Sequence, residues 1–317
     1  MTKDATAPWH RGEQILQARL GIADRMAEVG SRIIRDFMPE QHREFYAQLP
    51  FVVLGGVDAT DAPWATIVDG PPGFVTALDP HTLRIEARLG LGDPLRESTA
   101  VGRSLGMLGI ELHTRRRNRM NGRVTACDAR GFSIAVDQAF GNCPRFIQQR
   151  AWSATPDPAP SASGEATPQR HLDAAAREHI ARADTFFVAS AVRAEDATAP
   201  YAVDVSHRGG KPGFVRVDGD MLTIPDFAGN LFFNTLGNLL LNPRAGLLFV
   251  DFETGDLLQV TGTTEIVFDG DEVASFEGAE RLWRLRVEGM VRRRGGLRLR
   301  WTVGAYSPDA VATGAWA

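Results

Sequence analysis

The sequence has no arrangement of cysteine and histidine that would bind a metal. Its 317 residues include only two cysteines, Cys127 and Cys143, and seven scattered histidines. The cysteines do not form a CxxC pair, and structural zinc sites need four such ligands at short, regular spacings. We therefore expect no metal centre in this protein.

The sequence also lacks a long apolar run and an excess of positive charge. No run approaches the roughly 18 apolar residues of a membrane-spanning helix, and residues 1–10 lack the apolar core of a signal peptide. The formal net charge of −4 differs from the strongly basic field of most nucleic-acid-binding proteins. We expect a cytoplasmic protein with neither a membrane nor a nucleic acid as partner.

The composition is that of a soluble globular protein long enough for two domains, with 44% hydrophobic and 23% charged residues. Residues 12–37 carry apolar side chains at spacings of three and four, which predicts helix as far as Pro39. Another short helix is predicted over residues 41–48. We expect these helices to cover one open end of the structure that follows. From residue 51 short runs of Val, Phe and Leu alternate with Gly, Asp and Asn turns, which predicts β-strands.

The strand-rich part of the sequence occurs twice. Pro72-Gly73-Phe74-Val75 recurs unchanged as Pro212-Gly213-Phe214-Val215, at an offset of 140 residues. The other matches are Phe51–Leu54 with Phe186–Ala189, Pro63-Trp64 with Pro200-Tyr201, Gly109 with Gly246, and Asn121-Gly122 with Thr261-Gly262. An ordered series of this kind predicts two copies of one fold.

A segment rich in Pro, Ala and Ser separates the two copies. It covers residues 153–170, contains no large apolar side chain and is predicted to be an extended linker. The predicted domains are therefore residues 1–152 and 171–317. A helix over residues 173–184 is expected to pack on the second copy.

Two polar segments of the second copy are suited to an anion. Ser206–Lys211 is predicted to be a turn in which two cations, a histidine and two glycines let charge and backbone N–H groups approach a ligand closely. The other segment contains Asn234, Thr235 and Asn238, where asparagine is a favoured helix cap and a helix start attracts anions. The first copy has neither segment, and its Glu97 would repel an anion. We expect one ligand site per chain.

In their order along the chain these segments resemble the FMN-binding split barrels related to pyridoxamine 5'-phosphate oxidase. The segments that carry the resemblance are Gly210–Val215, Asp218–Leu222, Asn238-Leu239 with Asn242-Pro243-Arg244, Gly246–Phe249 and Leu258–Gly262. The resemblance implies a mainly β (α+β) fold of two tandem six-stranded split β-barrels with flanking helices. The two barrels would pack as an intramolecular pseudo-dimer, and further homodimerisation is left open.

The resemblance also implies an FMN site in the second copy. Its expected residues are Ser206, His207, Arg208, Gly209, Gly210, Lys211, Phe214, Val215, Asn234, Thr235, Asn238 and Gln259. Many members of the family carry cations where this chain has Phe233-Asn234-Thr235, so Arg208 and Lys211 are expected to hold the phosphate instead. Several of these residues also have a structural interpretation. Arg208 and Lys211 would be hairpin charges, and His207 a surface residue. Asn234 and Asn238 would cap the helix, and Gln259 would be a buried amide bonded to backbone.

The function implied by the resemblance is that of an FMN-dependent oxidoreductase acting on an unidentified small molecule, with NAD(P)H as a candidate electron donor. No catalytic residue is assigned, and pyridoxamine phosphate oxidation itself is not expected. The alternative is a non-catalytic protein that holds flavin or haem. Arg115–Arg119 in the first copy would suit an anion or an acidic partner, or would form a solvated turn. Cys143 is interpreted as a packed side chain rather than a nucleophile.

Overall fold

The computed structural model describes residues 8–155, 166, 168–193 and 201–316, and β-strands are its main element of secondary structure. The helices are α1 (Arg11–Arg19), α2 (Ala23–Ile33), α3 (Glu40–Gln48), α4 (Ala174–Arg182), α5 (Asn234–Leu241), α6 (Asp271–Ala274) and α7 (Pro308–Val311). The strands of the first half are β1 (Phe51–Val57), β2 (Pro63–Asp69), β3 (Val75–Asp79), β4 (Thr82–Ile85), β5 (Ser104–Glu111), β6 (Arg116–Cys127), β7 (Phe132–Asn142) and β8 (Arg150–Ala154). Those of the second half are β9 (Thr185–Val192), β10 (Ala202–Gly209), β11 (Arg216–Asp218), β12 (Met221–Phe227), β13 (Arg244–Val250), β14 (Leu257–Val267), β15 (Ala279–Arg293) and β16 (Leu299–Val303).

The strands form two large antiparallel sheets with the same topology. The first has the order β2-β1-β5-β6-β7-β4-β3, and the second has the order β10-β9-β13-β14-β15-β12-β11. The mainly β fold and the tandem duplication predicted from the sequence are therefore confirmed. Each sheet contains seven strands where six were expected, because a short strand, β3 or β11, continues the sheet at one edge.

The strand pairing shows that some of the sequence matches were out of register. Phe51 pairs with Asp69 in the first copy, and the corresponding pair in the second copy is Thr185 with Gly209. Phe51 belongs to the cluster between the sheets, whereas Phe186 points into the core of its own barrel. The match of Phe51 with Phe186 is therefore wrong by one residue, and a shift of one residue moves a side chain to the opposite face of a strand.

The two sheets pack face to face across a pseudo-twofold axis. A Cβ atom on Gly106 would lie 2.7 Å from the carbonyl oxygen of Val203, and one on Gly246 would lie 2.3 Å from that of Pro63. These contacts are reciprocal, so Gly106, and not Gly109, is the counterpart of Gly246. Buried side chains from both copies fill the space between the sheets: Phe51, Val53, Ile67, Phe187, Val205 and Leu248. The predicted pseudo-dimer is thus present within one chain.

The helices before each barrel have different roles. Helices α3 and α4 stand just before the first strand of their own copies, as expected. Helix α1 instead packs on α5 of the second copy, and its Leu16 belongs to the second barrel's core. Gly12 and Gly237 make this contact, because a Cβ atom on Gly12 would lie only 2.0 Å from the carbonyl oxygen of Gly237. The expectation that all the leading helices cover the first barrel is wrong for α1.

The two halves are also joined by a small separate sheet. Strand β8 pairs with β16 near the C-terminus, so Trp152 lies opposite Trp301. Ser153 and Ala154, which were assigned to the linker, therefore belong to a strand, and most of the remaining linker lies outside the described residues. Within the described ranges, no helix is long and apolar enough to cross a membrane.

Candidate functional site

A cleft lies between the two copies, where β6 of the first faces β10, β12 and the start of α5 in the second. Its cavity volume is about 110 Å³. Seven of the twelve predicted site residues line it: Ser206, His207, Arg208, Gly209, Phe214, Asn234 and Thr235. The first copy contributes Arg117, Arg119, Asn142 and Cys143 to the same cleft.

The segment Ser206–Lys211 is mostly a strand and not a turn. Strand β10 continues through Gly209, which pairs with Thr185, and the turn begins only at Gly210. Side chains therefore alternate along the segment instead of converging on one point. Lys211 and Gly210 lie beyond the strand and are not among the residues that line the cleft. The predicted role of Lys211 in holding a phosphate has no geometric support.

The N-terminus of α5 faces the cleft without a side-chain cap. Phe233 occupies the cap position in the left-handed conformation (φ 61°) and makes no capping bond. The first backbone N–H groups of a helix have no partner within it and carry partial positive charge. Asn234, Thr235 and Leu236 at this helix start all line the cleft. The arrangement is suited to binding an anion.

The two asparagines expected to cap α5 have other partners. Asn234 donates from Nδ2 to Glu13 Oε1 at 2.6 Å, and Asn238 donates to Ser190 Oγ and Asp204 Oδ2, both at 3.0 Å. Asn238 is fully buried behind the cleft and does not line it. These side chains fix α5 against β9, β10 and α1. The capping interpretation is wrong, and Asn238 has a structural position.

His207 is a buried imidazole on the wall of the cleft. The residue is only 5% exposed, and neither ring nitrogen has a hydrogen-bond partner among the described residues. Burial, reinforced by the charges of Arg117, Arg150 and Arg208, lowers the pKa of His207 well below its usual value. The ring is therefore neutral at pH 7. A buried polar group without a partner is costly, so His207 is held in this position at the expense of stability.

Arg208 lines the cleft, but its charge is already compensated. Its Nη1 donates to Asp226 Oδ1 at 2.5 Å, and Asp226 also forms an ion pair with Arg281 at 3.3 Å. Asp226 is itself buried. A ligand anion would therefore compete with Asp226 for Arg208. The prediction that Arg208 is a main phosphate contact is weakened.

Two arginines that sequence reasoning did not include in the site are better placed. Arg119 is buried and donates to Asp204 at 2.9 Å and to Ser206 Oγ. Arg117 donates from Nε to the carbonyl oxygen of Cys143 at 2.8 Å, and its Nη2 lies 3.6 Å from Cys143 Sγ. Among the described ion pairs none involves Arg117, and burial lowers the pKa of its guanidinium. Arginine nevertheless remains charged at neutral pH, so Arg117 is a cation without an acidic partner.

The duplication predicts a second cleft, related to the first by the pseudo-twofold axis, between β14 and the first copy. Protein side chains close it. Gln259, predicted to bind the cofactor, occupies the position related to Arg119 and donates to the carbonyl oxygen of Ala65 at 2.9 Å. Arg293 donates to Gln259 Oε1 at 3.1 Å and forms an ion pair with Asp93 at 2.8 Å. Gln259 is therefore not near the other predicted site residues. Val215, another predicted residue, lies in the second barrel's core.

A buried carboxyl group stands behind the cleft. Glu13 is 3% exposed, and burial, followed by the charge of nearby Asp204, raises the pKa of Glu13 from 4.5 to about 8. The hydrogen bonds from His10 N–H and Asn234 Nδ2, and the charge of Arg119, oppose this rise. Glu13 is thus mostly protonated at pH 7 in the folded chain.

We expect Glu13 to make folding pH-dependent. The folded state holds this proton more tightly than the unfolded chain, so the stability contributed by Glu13 is complete below about pH 4.5 and is lost as the pH rises to about 8. Glu13→Gln mimics the neutral acid. It should match wild type near pH 5 and exceed it in free energy of unfolding near pH 8. Urea denaturation at both pH values measures this, and parallel pH profiles for the two proteins would contradict it.

The comparison with known families agrees with this architecture. Residues 172–299 match the family model described as Pyridoxamine 5'-phosphate oxidase. These residues span the second barrel, and the first barrel has the same strand order. The second barrel therefore resembles the pyridoxamine 5'-phosphate oxidase family over residues 172–299, and the chain as a whole is a tandem duplication of one fold.

Solved structures with similarity to the chain each cover only one part of it. HupZ of Group A Streptococcus has 17% identity over 38% of this chain and 91% of its own, with a TM-score of 0.28. HutZ, the heme storage protein from Vibrio cholerae, has 16% identity over 38% and 94%, with a TM-score of 0.26. The FAD binding protein from Mycobacterium smegmatis has 14% identity over 39% and 97%, also with a TM-score of 0.26. Likenesses this weak say nothing about what this chain binds. No curated protein matches the chain.

Proposed function

We propose that this protein is an FMN-binding flavoprotein, and that it acts as an oxidoreductase on a small molecule. The observation that carries the proposal is the uncapped N-terminus of α5, which faces the same cleft as the unpaired cation of Arg117. The backbone N–H groups of a helix start and a guanidinium without an acidic partner among the described residues, both lining one cleft, suit a phosphate dianion. The flavin phosphate would lie there, with Ser206 as a further hydroxyl donor, since the Thr235 hydroxyl donates to Ser206 Oγ at 3.1 Å.

The size of the cleft agrees with this orientation. Its cavity volume of about 110 Å³ is well below the roughly 300 Å³ at which pockets that enclose a drug-sized ligand begin. The enclosed part would therefore hold the phosphate and the adjoining chain. The ring system would extend beyond this enclosed part; the lining of the cleft includes Phe146 and Phe227, which stack on each other with centroids 5.0 Å apart.

The chain itself would contribute binding and orientation. Bound FMN supplies hydride and electron transfer without a protein nucleophile, and NAD(P)H is the electron donor that we propose. His207, neutral and buried, can donate one hydrogen bond to the ligand or accept one from it. Arg119, fixed by Asp204, keeps a positive charge beside the cleft wall.

A reconstitution experiment tests this proposal. We expect purified protein incubated with FMN to retain close to one flavin per chain after desalting, because Arg293 and Asp93 close the second cleft. The flavin released by heat is counted against protein, and anaerobic NADPH or NADH should bleach the bound flavin. Two flavins per chain would contradict the closed second cleft, whereas retention of none would remove the flavin proposal.

One observation favours haem as the second candidate. His207 lines the cleft, and neither of its ring nitrogens has a partner within the part of the chain that the structure describes; a neutral imidazole nitrogen is a common axial ligand of haem iron. Haemin titration would then give a Soret band that is lost in His207→Ala. In the flavin proposal the same substitution changes flavin affinity without producing a Soret band in either protein.

A further inference from the structure

Glu13, the buried acid behind the cleft, lies against the same helix start that faces the proposed ligand site. Its stem packs on the backbone of α5, because a Cβ atom on Gly237 would lie 2.7 Å from Glu13 Cγ. Its carboxyl group accepts a hydrogen bond at 2.6 Å from Asn234, the first residue of that helix. Asn234 also lines the cleft. One side chain therefore links the carboxyl group of Glu13 to the cleft.

The titratable groups that face Glu13 come from two strands and from the start of its own helix. Strand β10 contributes Asp204, and β6 contributes Arg119, which forms an ion pair with Asp204 at 2.9 Å. His10, just before α1, has its Nε2 3.6 Å from Glu13 Oε2. Helix α5 contains no titratable residue, and the other charged side chains of α1 and α2 are exposed.

Ionisation of Glu13 would add a negative charge that these groups do not offset. Arg119 already compensates Asp204, and burial lowers the pKa of His10, so His10 is uncharged at neutral and higher pH. Burial raises the pKa of Glu13 to about 8, so the new charge forms around that pH. A negative charge there opposes the partial positive charge of the helix start and repels an anion in the cleft.

We propose that anion binding in the cleft is coupled to a proton on Glu13. The anion binds while Glu13 is neutral, and its charge draws a proton from solvent onto Glu13 wherever that acid is ionised in the free protein. Loss of the proton at higher pH releases the anion, because such a linkage is reciprocal. The proposal rests on the anion-binding part of the proposed function and not on flavin as the ligand.

The direction of the pH dependence follows from this linkage. A bound anion raises the pKa of Glu13 above its value of about 8 in the free protein. Affinity for the anion is therefore complete below that pH, falls as the pH rises through it, and levels off once Glu13 is ionised in the complex as well.

Sulfate is a suitable probe because its charge does not change over the pH range of the titration. Calorimetric titration of the full chain at constant ionic strength should give a dissociation constant about five- to tenfold higher near pH 9.5 than near pH 6.5, the effect of one unit charge about one side chain away. Equal dissociation constants at the two pH values would overturn the proposal, as would the absence of saturable sulfate binding near pH 6.5.

The proton can be counted in the wild-type protein. Titrations near pH 8.5 in two buffers of different ionisation enthalpy should show uptake of about half a proton for each sulfate bound. Binding without proton uptake would overturn the proposal whether or not any variant folds.

Glu13→Gln should abolish the pH dependence of sulfate binding. The substitution removes the charge of the carboxyl group and keeps Cys143 and every other group that titrates near the cleft. Glu28→Gln is the matched control on the neighbouring helix α2, where Glu28 is exposed, and it should keep the wild-type pH dependence. The wild-type pH dependence in Glu13→Gln would assign the proton to another group and overturn the proposal.

FMN titrations at the same two pH values separate this proposal from the flavin proposal. Sulfate binding coupled to Glu13 in a protein that retains no FMN would support the coupling and remove flavin as the ligand. FMN bound with equal affinity at both pH values would support the flavin proposal and overturn the coupling.

Discussion

Replacing Arg117 by methionine is expected to weaken FMN binding about ten- to hundredfold. A charge-assisted hydrogen bond to phosphate contributes roughly 1.5–3 kcal/mol, and no acidic side chain among the described residues pairs with Arg117 and competes for its charge. Riboflavin lacks the phosphate and should bind nearly as well to the variant as to wild type. Titration of apo-protein with each flavin, followed by quenching of flavin fluorescence, measures both affinities.

Two further arginines make this experiment selective. Arg208→Met should have a smaller effect than Arg117→Met, because Asp226 already holds Arg208 at 2.5 Å. Arg123→Met is the matched control, since Arg123 lies on the same strand β6 in an exposed pair with Asp137. If Arg117→Met and Arg123→Met bound FMN equally well, Arg117 would not contact the phosphate.

Gly12→Ala is expected to destabilise the fold by about 3 kcal/mol, the upper end of the usual cost of overpacking. The added Cβ atom would lie 2.0 Å from the carbonyl oxygen of Gly237, a backbone atom that cannot rotate away. On an isolated helix the same change would be favourable by up to about 1 kcal/mol, because alanine is the better helix former. The sign of the effect therefore reports the α1–α5 contact.

Equilibrium urea denaturation of wild type, Gly12→Ala and a control glycine variant measures this effect. Gly141→Ala is a suitable control, since its new Cβ atom would meet only Asn118 Oδ1, at an ordinary 3.6 Å. An unchanged or raised midpoint for Gly12→Ala would show that α1 leaves α5 readily.

The duplication was predictable from the sequence, but its register was only partly so. Identical tetrapeptides such as Pro72–Val75 and Pro212–Val215 fix the offset between the two copies at 140 residues over the strands that follow them. Strand β1 has no identical counterpart in the second copy, so apolar similarity aligned Phe51 with Phe186. The correct counterpart, Thr185, is one residue earlier. Strands that are buried on both faces lose the alternation that would have revealed the error.

The helices of the N-terminal part were predictable from their periodicity, but the surface that α1 covers was not. An amphipathic pattern says that a face is buried and does not say against what. The close approach of Gly12 to Gly237 joins residues that are distant in the sequence. Only the three-dimensional structure shows that the glycine is needed there.

Only one wall of the candidate site could be predicted from the sequence, because the other wall depends on contacts between distant segments. Ser206, His207 and Asn234 lie in the two polar segments that were singled out in the second copy, so that copy's wall of the cleft was identified. The opposite wall comes from the first copy, which had been set aside because it lacks those segments. The run Arg115–Arg119 was noticed, yet its residues alternate along β6, and Arg115 itself bonds to Ile147, Ala305 and Tyr306 carbonyls. Which arginines of the run reach the cleft depends on strand pairing across the copies.

The closed cleft at Arg293 shows what a single chain allows that a symmetric dimer does not. In a homodimer each substitution appears twice, so an arginine that blocks one cleft blocks its twin as well. With both copies in one polypeptide, the two halves are inherited together but change separately. Arg293 of the second copy can then bond to Thr66 and Asp93 of the first on one side, while on the other side Arg117 has no ion pair with any described residue. Different side chains in the two clefts between the copies therefore need no second gene and no sorting of unlike subunits.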